Sequence, residues 1–128
     1  MFTLKKGELD VMEVFWHKDE PLSHANLCDL LDGVVGRNTI YLHLNNLLKK
    51  GAIHVGPSVR RGRTYGRTFV ASLTKAEYYA MQVADSPGTD DATLCNVFSY
   101  FLGSKNVTKE TLDELEKCLE EKRRDLDP

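Results

Sequence analysis

The chain has 128 residues, of which 41 % are hydrophobic and 28 % are charged, and its formal net charge at pH 7 is −2. This length suits one domain or two small ones, and no apolar stretch approaches the ~20 residues that cross a bilayer, so we expect no membrane insertion. Three widely spaced cysteines indicate reduced thiols in a cytoplasmic protein. No pattern typical of a metal site, a cofactor site or a catalytic centre occurs, so we expect no cofactor and no enzymatic activity.

The first third of the chain predicts two helices and a turn. Apolar residues at helical spacing indicate a helix from about Lys6 to His17, and Ser23 is a suitable N-cap for a short helix that ends near Leu31. Two glycines within residues 32–36 favour a tight turn. The side chains expected to be buried are Leu9, Met12 and Trp16 in the first helix and Leu27, Leu30 and Leu31 in the second.

The segment RNTIYLHLNNLLKKG predicts a third helix that ends at Gly51, because its apolar residues recur at intervals of three and four. Its buried stripe is expected to be Ile40, Leu44, Leu47 and Leu48. The period then changes, and residues 64–70 are rich in strand formers, which predicts an antiparallel hairpin with a basic tip near residues 60–63. This order predicts a mainly α protein with a winged helix–turn–helix, three helices and a β-hairpin wing, over residues 1–72.

In the second region, residues 73–128, the sequence predicts helices whose apolar side chains cannot all be buried within one chain. Thr74 and Glu77 form a capping-box sequence, DSPGTDD predicts a loop, and Thr108 is a suitable N-cap for a last helix. A region of roughly 55 residues is too small to bury such wide apolar stripes from water within one chain. We therefore predict a helical dimerisation domain in which two copies pack through Leu94, Val97, Phe98, Phe101, Leu112, Leu115 and Leu119.

Charge is sorted along the chain. Residues 33–76 contain no Asp or Glu and have eight Lys and Arg, whereas the other nine Lys and Arg stand against all 19 acids. Nucleic acids select such positive regions, because each neutralised phosphate releases condensed counterions. A solvated basic surface is the alternative interpretation, but the turn before the third helix and the basic hairpin after it favour double-stranded DNA as the partner.

The exposed face of the third helix has side chains that suit a DNA major groove. Asparagine bonds the edge of adenine, an apolar side chain contacts a thymine methyl group, and a helix start holds phosphate. The predicted DNA-binding residues of this helix are Arg37, Asn38, Thr39, Tyr41, Leu42, Asn45, Asn46, Lys49 and Lys50. At the hairpin tip, we expect Arg60, Arg61 and Arg63 to lie on phosphates or in a minor groove.

Four segments together resemble the penicillinase-repressor family, and they are LKKGELDVMEVFW, PLSHANLCDLL, NTIYLHLNNLLKKGAI and LTKAEYYAMQV. The resemblance implies a homodimeric transcriptional repressor on a palindromic operator in an antibiotic-resistance or similar regulon. It also implies relief by proteolysis through a membrane sensor protease pathway. The chain departs from the family at Tyr100-Phe101, which stands where cleaved members have Asn-Phe, and it lacks the cysteine-rich tail of copper-responsive members.

Two other functions fit the same residues. One is a winged-helix regulator of another class that responds to a small ligand. The other is a winged helix used only for contact with proteins, although the acid-free stretch argues against it.

Overall fold

The computed structural model describes residues 2–61, 64–85, 90–104 and 106–127. The chain divides into two compact units, Met1–Asp85 and Ser86–Pro128. The helices of the described residues are α1 (Lys6–Lys18), α2 (His24–Leu30), α3 (Arg37–Lys50), α4 (Lys75–Ala84), α5 (Asp91–Leu102) and α6 (Lys109–Leu126). The strands are β1 (Leu22–Ser23), β2 (Ile53–Val55), β3 (Val59–Arg61), β4 (Thr64–Gly66) and β5 (Thr68–Ala71).

The core of the first unit forms where α1, α2 and α3 meet. Each helix buries one apolar stripe, and the most deeply buried side chains include Val11, Met12, Leu27, Ile40 and Leu47. Burial of such side chains stabilises the fold by about 1.5–3 kcal/mol each. The predicted stripe of α3 is confirmed, with Leu48 partly buried beside the core.

The prediction for one residue of α2 is wrong. Leu30 is 44 % exposed, whereas Cys28 is buried in the core. The helix is only seven residues long and begins at a cap in which the Ser23 hydroxyl accepts a hydrogen bond from the Asn26 N–H at 3.1 Å. The buried stripe consists of Leu27, Cys28 and Leu31, and the helical period of about 3.6 residues places Leu30 to one side of it.

The predicted hairpin is present but is divided into two ladders. β5 pairs antiparallel with β1 and β2 in a sheet of order β1-β5-β2, while β3 and β4 pair in a separate two-stranded ladder. The break falls at Gly56, where an added Cβ would lie 2.7 Å from Val70 Cγ2. A glycine is required there because the two arms of the hairpin approach each other closely at this point. Helices α1 to α3 with this hairpin confirm the winged helix–turn–helix.

Helix α4 belongs to the first unit and is tied to α1 and the N-terminal segment. Thr74 and Glu77 form the expected capping box, and the Tyr78 hydroxyl accepts a hydrogen bond from the Leu4 N–H at 2.9 Å. The Trp16 indole N–H donates to the Leu73 carbonyl at 3.0 Å. The predicted boundary at residues 72 and 73 therefore falls inside this compact unit, because Tyr78 belongs to its core. A division by role, with DNA binding before that boundary and dimerisation after it, stays a prediction.

The second unit contains α5 and α6, each begun by a side-chain cap. Asp90 accepts from the Thr93 N–H at 2.7 Å, and Thr108 accepts from the Thr111 N–H at 3.2 Å. No residue of either helix is buried among those described. Large apolar side chains of this unit are exposed, and they are Leu94, Phe98, Tyr100, Phe101, Leu102, Leu112, Leu115, Leu119 and Leu126.

Candidate nucleic-acid interface

The start of α3 is an exposed and positively biased end of a helix. The chain leaves α2 through a turn in which Gly33 has φ +78°, a value that favours glycine. Gly36 is the N-cap, and no acid occupies the first turn. Arg37, Asn38 and Thr39 are all exposed there. Free backbone N–H groups and the helix dipole make such an end suitable for a phosphate.

The face of α3 opposite its buried stripe points to solvent. Tyr41 is 58 % exposed and Leu42 is 56 % exposed, although both are large and apolar. Asn45 and Lys49 are also exposed, and Asn46 is half-buried. The structure thus brings six of the predicted residues of this helix to one accessible surface, which we call the α3 face. It is formed by Asn38, Tyr41, Leu42, Asn45, Asn46 and Lys49.

His24 supports this face from α2, and the sequence did not indicate it. Its Nε2 atom lies 3.1 Å from the Arg37 carbonyl, so this nitrogen donates the hydrogen bond. Its ring meets the Tyr41 ring edge-on at a centroid distance of 5.4 Å, and Cys28 Sγ lies 3.6 Å from Nε2. His24 therefore fixes both the first residue of α3 and the ring of Tyr41. The only sequence signal was its position four residues before Cys28, which places both on one side of α2.

A basic side chain of the hairpin lies beside the α3 face. A cavity of about 430 Å³ separates α2 and α3 from the hairpin, and its walls include Tyr41, Asn45 and Arg67. The Arg67 guanidinium lies 5.2 Å from the centroid of the Phe69 ring. This cation–π contact holds a positive charge at the edge of the face without neutralising it.

The predicted basic tip is only partly described. Arg60 and Arg61 lie on β3, where their backbones pair with Tyr65 and Thr64 of β4. Arg63 lies outside the described residues. Strand β3 ends at Arg61 and β4 begins at Thr64, which agrees with the predicted position of the tip.

Two adjacent lysines at the end of α3 have different surroundings. Lys49 is exposed. The Lys50 ammonium forms an ion pair with Glu8 Oε1 at 2.6 Å and donates to the Thr3 carbonyl at 3.1 Å. Glu8 is 1 % exposed, so the pair lies at the edge of the core. The structure thus separates Lys50 from the α3 face.

Gly7 allows α1 and α3 to approach each other next to this ion pair. A Cβ on Gly7 would lie 2.5 Å from His43 Nε2, so the imidazole occupies the space that a side chain would fill. His43 Nδ1 and Glu8 Oε2 are both buried without a hydrogen-bond partner among the described residues. His43 therefore packs toward α1.

The charge of Glu8 is stabilised in the folded state. Burial alone would raise the pKa of this carboxyl, but the backbone N–H of Lys5 and the Lys50 ammonium lower it below its ordinary value of 4.5. The Lys5 N–H donates to Glu8 Oε1 at 2.8 Å, which also begins helix α1 in place of a side-chain cap. One carboxylate oxygen thus serves both the start of α1 and the end of α3.

Residues 4–121 match the profile of the penicillinase repressor family. The chain belongs to that family. It is accordingly a DNA-binding transcriptional regulator with a helix–turn–helix, as the resemblance predicted. No curated protein matches the chain. Within the described residues, no helix is long and apolar enough to cross a membrane.

Several solved structures are similar over most of the chain. The heme sensor protein PefR from Streptococcus agalactiae, in complex with heme, is 17 % identical, with 94 % of this chain and 73 % of that chain covered and a TM-score of 0.43. A mutant of MepR from a multidrug-resistant clinical isolate of S. aureus is 14 % identical, with 94 % and 77 % covered and a TM-score of 0.42. MarR from S. aureus, in complex with salicylate and kanamycin, is 13 % identical, with 97 % and 73 % covered and a TM-score of 0.41.

We expect Glu8→Gln to lower the free energy of unfolding at neutral pH and to make it less dependent on acid. Because the pKa of Glu8 is lowered on folding, its carboxylate contributes stability that is present above the unfolded pKa and is lost as the pH falls through the folded pKa. Denaturant unfolding from about pH 7 to about pH 3 measures this, and the two curves should converge at the acid end.

Glu13→Gln is the matched control, because Glu13 is a half-exposed carboxylate of the same helix in an ion pair with Lys75. Such surface pairs contribute little, so we expect its curve to follow that of the original protein. A Glu8→Gln curve parallel to the original at every pH would contradict the role assigned to this carboxylate.

Proposed function

We propose that the protein is a cytoplasmic homodimeric repressor that binds a two-fold symmetric DNA operator through the α3 face. The observation that supports this most strongly is the exposed α3 face itself, where Asn38, Leu42 and Asn45 lie opposite the buried stripe of the same helix. A helix of this kind fits the major groove, which is wide enough to admit it.

Each residue of the interface receives a role from its chemistry and position. We assign Asn38, Leu42 and Asn45 to base edges, with Tyr41 and Asn46 at their flanks. Phosphate contacts are assigned to residues that are positive or lie at the helix start, since such contacts position the protein without reading sequence. These are Arg37, Thr39, Lys49, Arg60, Arg61 and Arg63.

Dimerisation is proposed through the apolar side chains of α5 and α6. Phe101 is 61 % exposed and Leu119 is 59 % exposed in the chain, and leaving such side chains in water is unfavourable. A stable interface buries roughly 1,000 Å² or more. The proposed contact residues are Leu94, Val97, Phe98, Phe101, Leu112, Leu115 and Leu119. Two linked DNA-binding units then gain affinity through their effective concentration.

Substitutions at two exposed residues of α3 can distinguish recognition of the DNA bases from binding of the phosphates. Asn45→Ala should cost roughly 1–3 kcal/mol on the operator and far less on random duplex DNA, because it removes an interaction with a base. Lys49→Ala should weaken both alike and reduce the slope of log affinity against log salt by about 0.9 for each phosphate that is no longer neutralised. Fluorescence anisotropy over a salt series measures both quantities.

The operator for this experiment is a duplex that the original protein selects from a random library. Equal losses of affinity on both duplexes for Asn45→Ala would move that residue to the phosphate class. An affinity of the original protein that does not change with salt would contradict the proposed phosphate contacts.

Leu115→Asp should give a monomer, because it places an unpaired charge in the proposed apolar interface. Sedimentation velocity measures the mass, and the operator affinity should fall because the second DNA-binding unit is no longer linked to the first. Lys117→Asp is the matched control, because it introduces the same residue two positions away at a side chain that is 70 % exposed. An intact Leu115→Asp dimer would exclude this interface.

Two routes of induction are compatible with this repressor. Proteolysis at Tyr100-Phe101 requires local unfolding, because both residues lie within α5. A small ligand could instead enter the groove of about 720 Å³ that lies beside Trp16, Pro21 and Leu73. The two routes can be distinguished by measuring the mass of the chain in cells that a β-lactam has derepressed. A cut chain supports proteolysis through a sensor protease pathway, and an intact chain under full derepression contradicts it.

A further inference from the structure

The last residue of α3 is connected to the N-terminal segment, residues 2–5. The Lys50 ammonium contacts both Glu8 of α1 and the Thr3 carbonyl. Glu8 in turn accepts from the Lys5 N–H. The C-terminal end of α3 is thus fixed by two bonds of one ammonium group to parts of the chain that are more than forty residues away.

The same segment is also bonded to α4. The Gln82 amide N–H donates to the Phe2 carbonyl at 2.9 Å, and the Thr3 hydroxyl donates to Gln82 Oε1 at 3.1 Å. The Leu4 N–H donates to the Tyr78 hydroxyl. Residues 2–5 therefore lie between the end of α3 and α4, and they are bonded to both.

The Lys50 ammonium already has two partners within the protein. It has three donors, of which two are directed at Glu8 and Thr3, and the side chain is 28 % exposed. Moving it to a phosphate would leave Glu8, which is 1 % exposed, as a buried charge without its cation. An unpaired buried charge is strongly unfavourable, so the ion pair is expected to persist when DNA is bound.

We propose that Lys50 is a positioning residue for operator binding, which holds the end of the recognition helix α3 on Glu8 and the N-terminal segment and makes no phosphate contact. This inference rests on the proposed DNA binding by the α3 face. It removes Lys50 from the predicted DNA-contacting residues and gives the acid Glu8 a part in sequence discrimination. Base readout depends on placement of the helix in the groove, so a shift of its end should affect the operator more than random DNA.

Lys50→Met and Lys49→Met test this as a matched pair, because each removes one charge from adjacent positions of α3. Lys50→Met should lower the ratio of operator to random-duplex affinity about tenfold, the order of one mismatched base pair, and leave the salt slope unchanged. Lys49→Met should keep the ratio and reduce the slope by about 0.9 per phosphate. Fluorescence anisotropy with the selected operator and a random duplex gives both values.

Glu8→Gln provides a second test, because the two interpretations predict changes in different quantities. If Lys50 contacts phosphate, removing the acid frees a cation and should strengthen binding to every duplex. If Lys50 positions α3, the same change should lower the affinity ratio, although no base has been removed. Lys50→Arg, which keeps the charge and can bond Glu8 through two N–H groups, should retain the original ratio.

A reduced salt slope for Lys50→Met, or stronger binding by Glu8→Gln to both duplexes with an unchanged affinity ratio, would overturn this inference and leave the proposed function intact. A lower melting temperature for Lys50→Met with an unchanged affinity ratio would also overturn it, because the residue would then be only structural. Equal affinity of the original protein for the selected duplex and the random duplex would overturn the proposed function and this inference together.

Discussion

The burial of one face of α3 is the constraint on which the first unit depends. Ile40, Leu44 and Leu47 lie in the core with α1 and α2, and each exposes less than a twentieth of its surface. Because a helix has a fixed period, burying this stripe determines which side chains point outward. The α3 face is thus a consequence of core packing, and a rotation of the helix would disturb both at once.

The acids and bases that are segregated along the sequence lie on different helices in the structure. The acid-free stretch has ion pairs at Lys50 and Lys75 among the described residues, and both acids, Glu8 and Glu13, come from α1. The positive charges at the start of α3 and beside Phe69 stay without such compensation in the part of the chain that is described. A positive potential can therefore persist on the α3 face of a protein whose net charge is negative.

Much of the fold could be predicted because its signals are local. The caps at Ser23, Thr74 and Thr108 each bond within three residues, and the stripe of α3 follows from its period. Features that depend on distant partners could not be predicted. Lys49 and Lys50 are adjacent and identical in type, and their different surroundings depend on the position of Glu8, which pairs with Lys50.

The hairpin illustrates the same limit. Its strand formers were visible, but the need for glycine at position 56 depends on the approach of Val70 across the sheet. The extent of the first unit depends in the same way on Tyr78, whose hydroxyl accepts from Leu4 at a separation of 74 residues. The contacts of the candidate interface with DNA stay predictions, because their partner is another molecule.

The position of Trp16 has an optical consequence. It is the single tryptophan of the chain. Its indole N–H donates a hydrogen bond to the Leu73 carbonyl, and its ring centroid lies 5.9 Å from that of Tyr78 on α4. The tryptophan emission of the unlabelled protein therefore reports on one place, the packing of α4 against α1. Loosening of α4 exposes the indole to water and shifts the emission to longer wavelength.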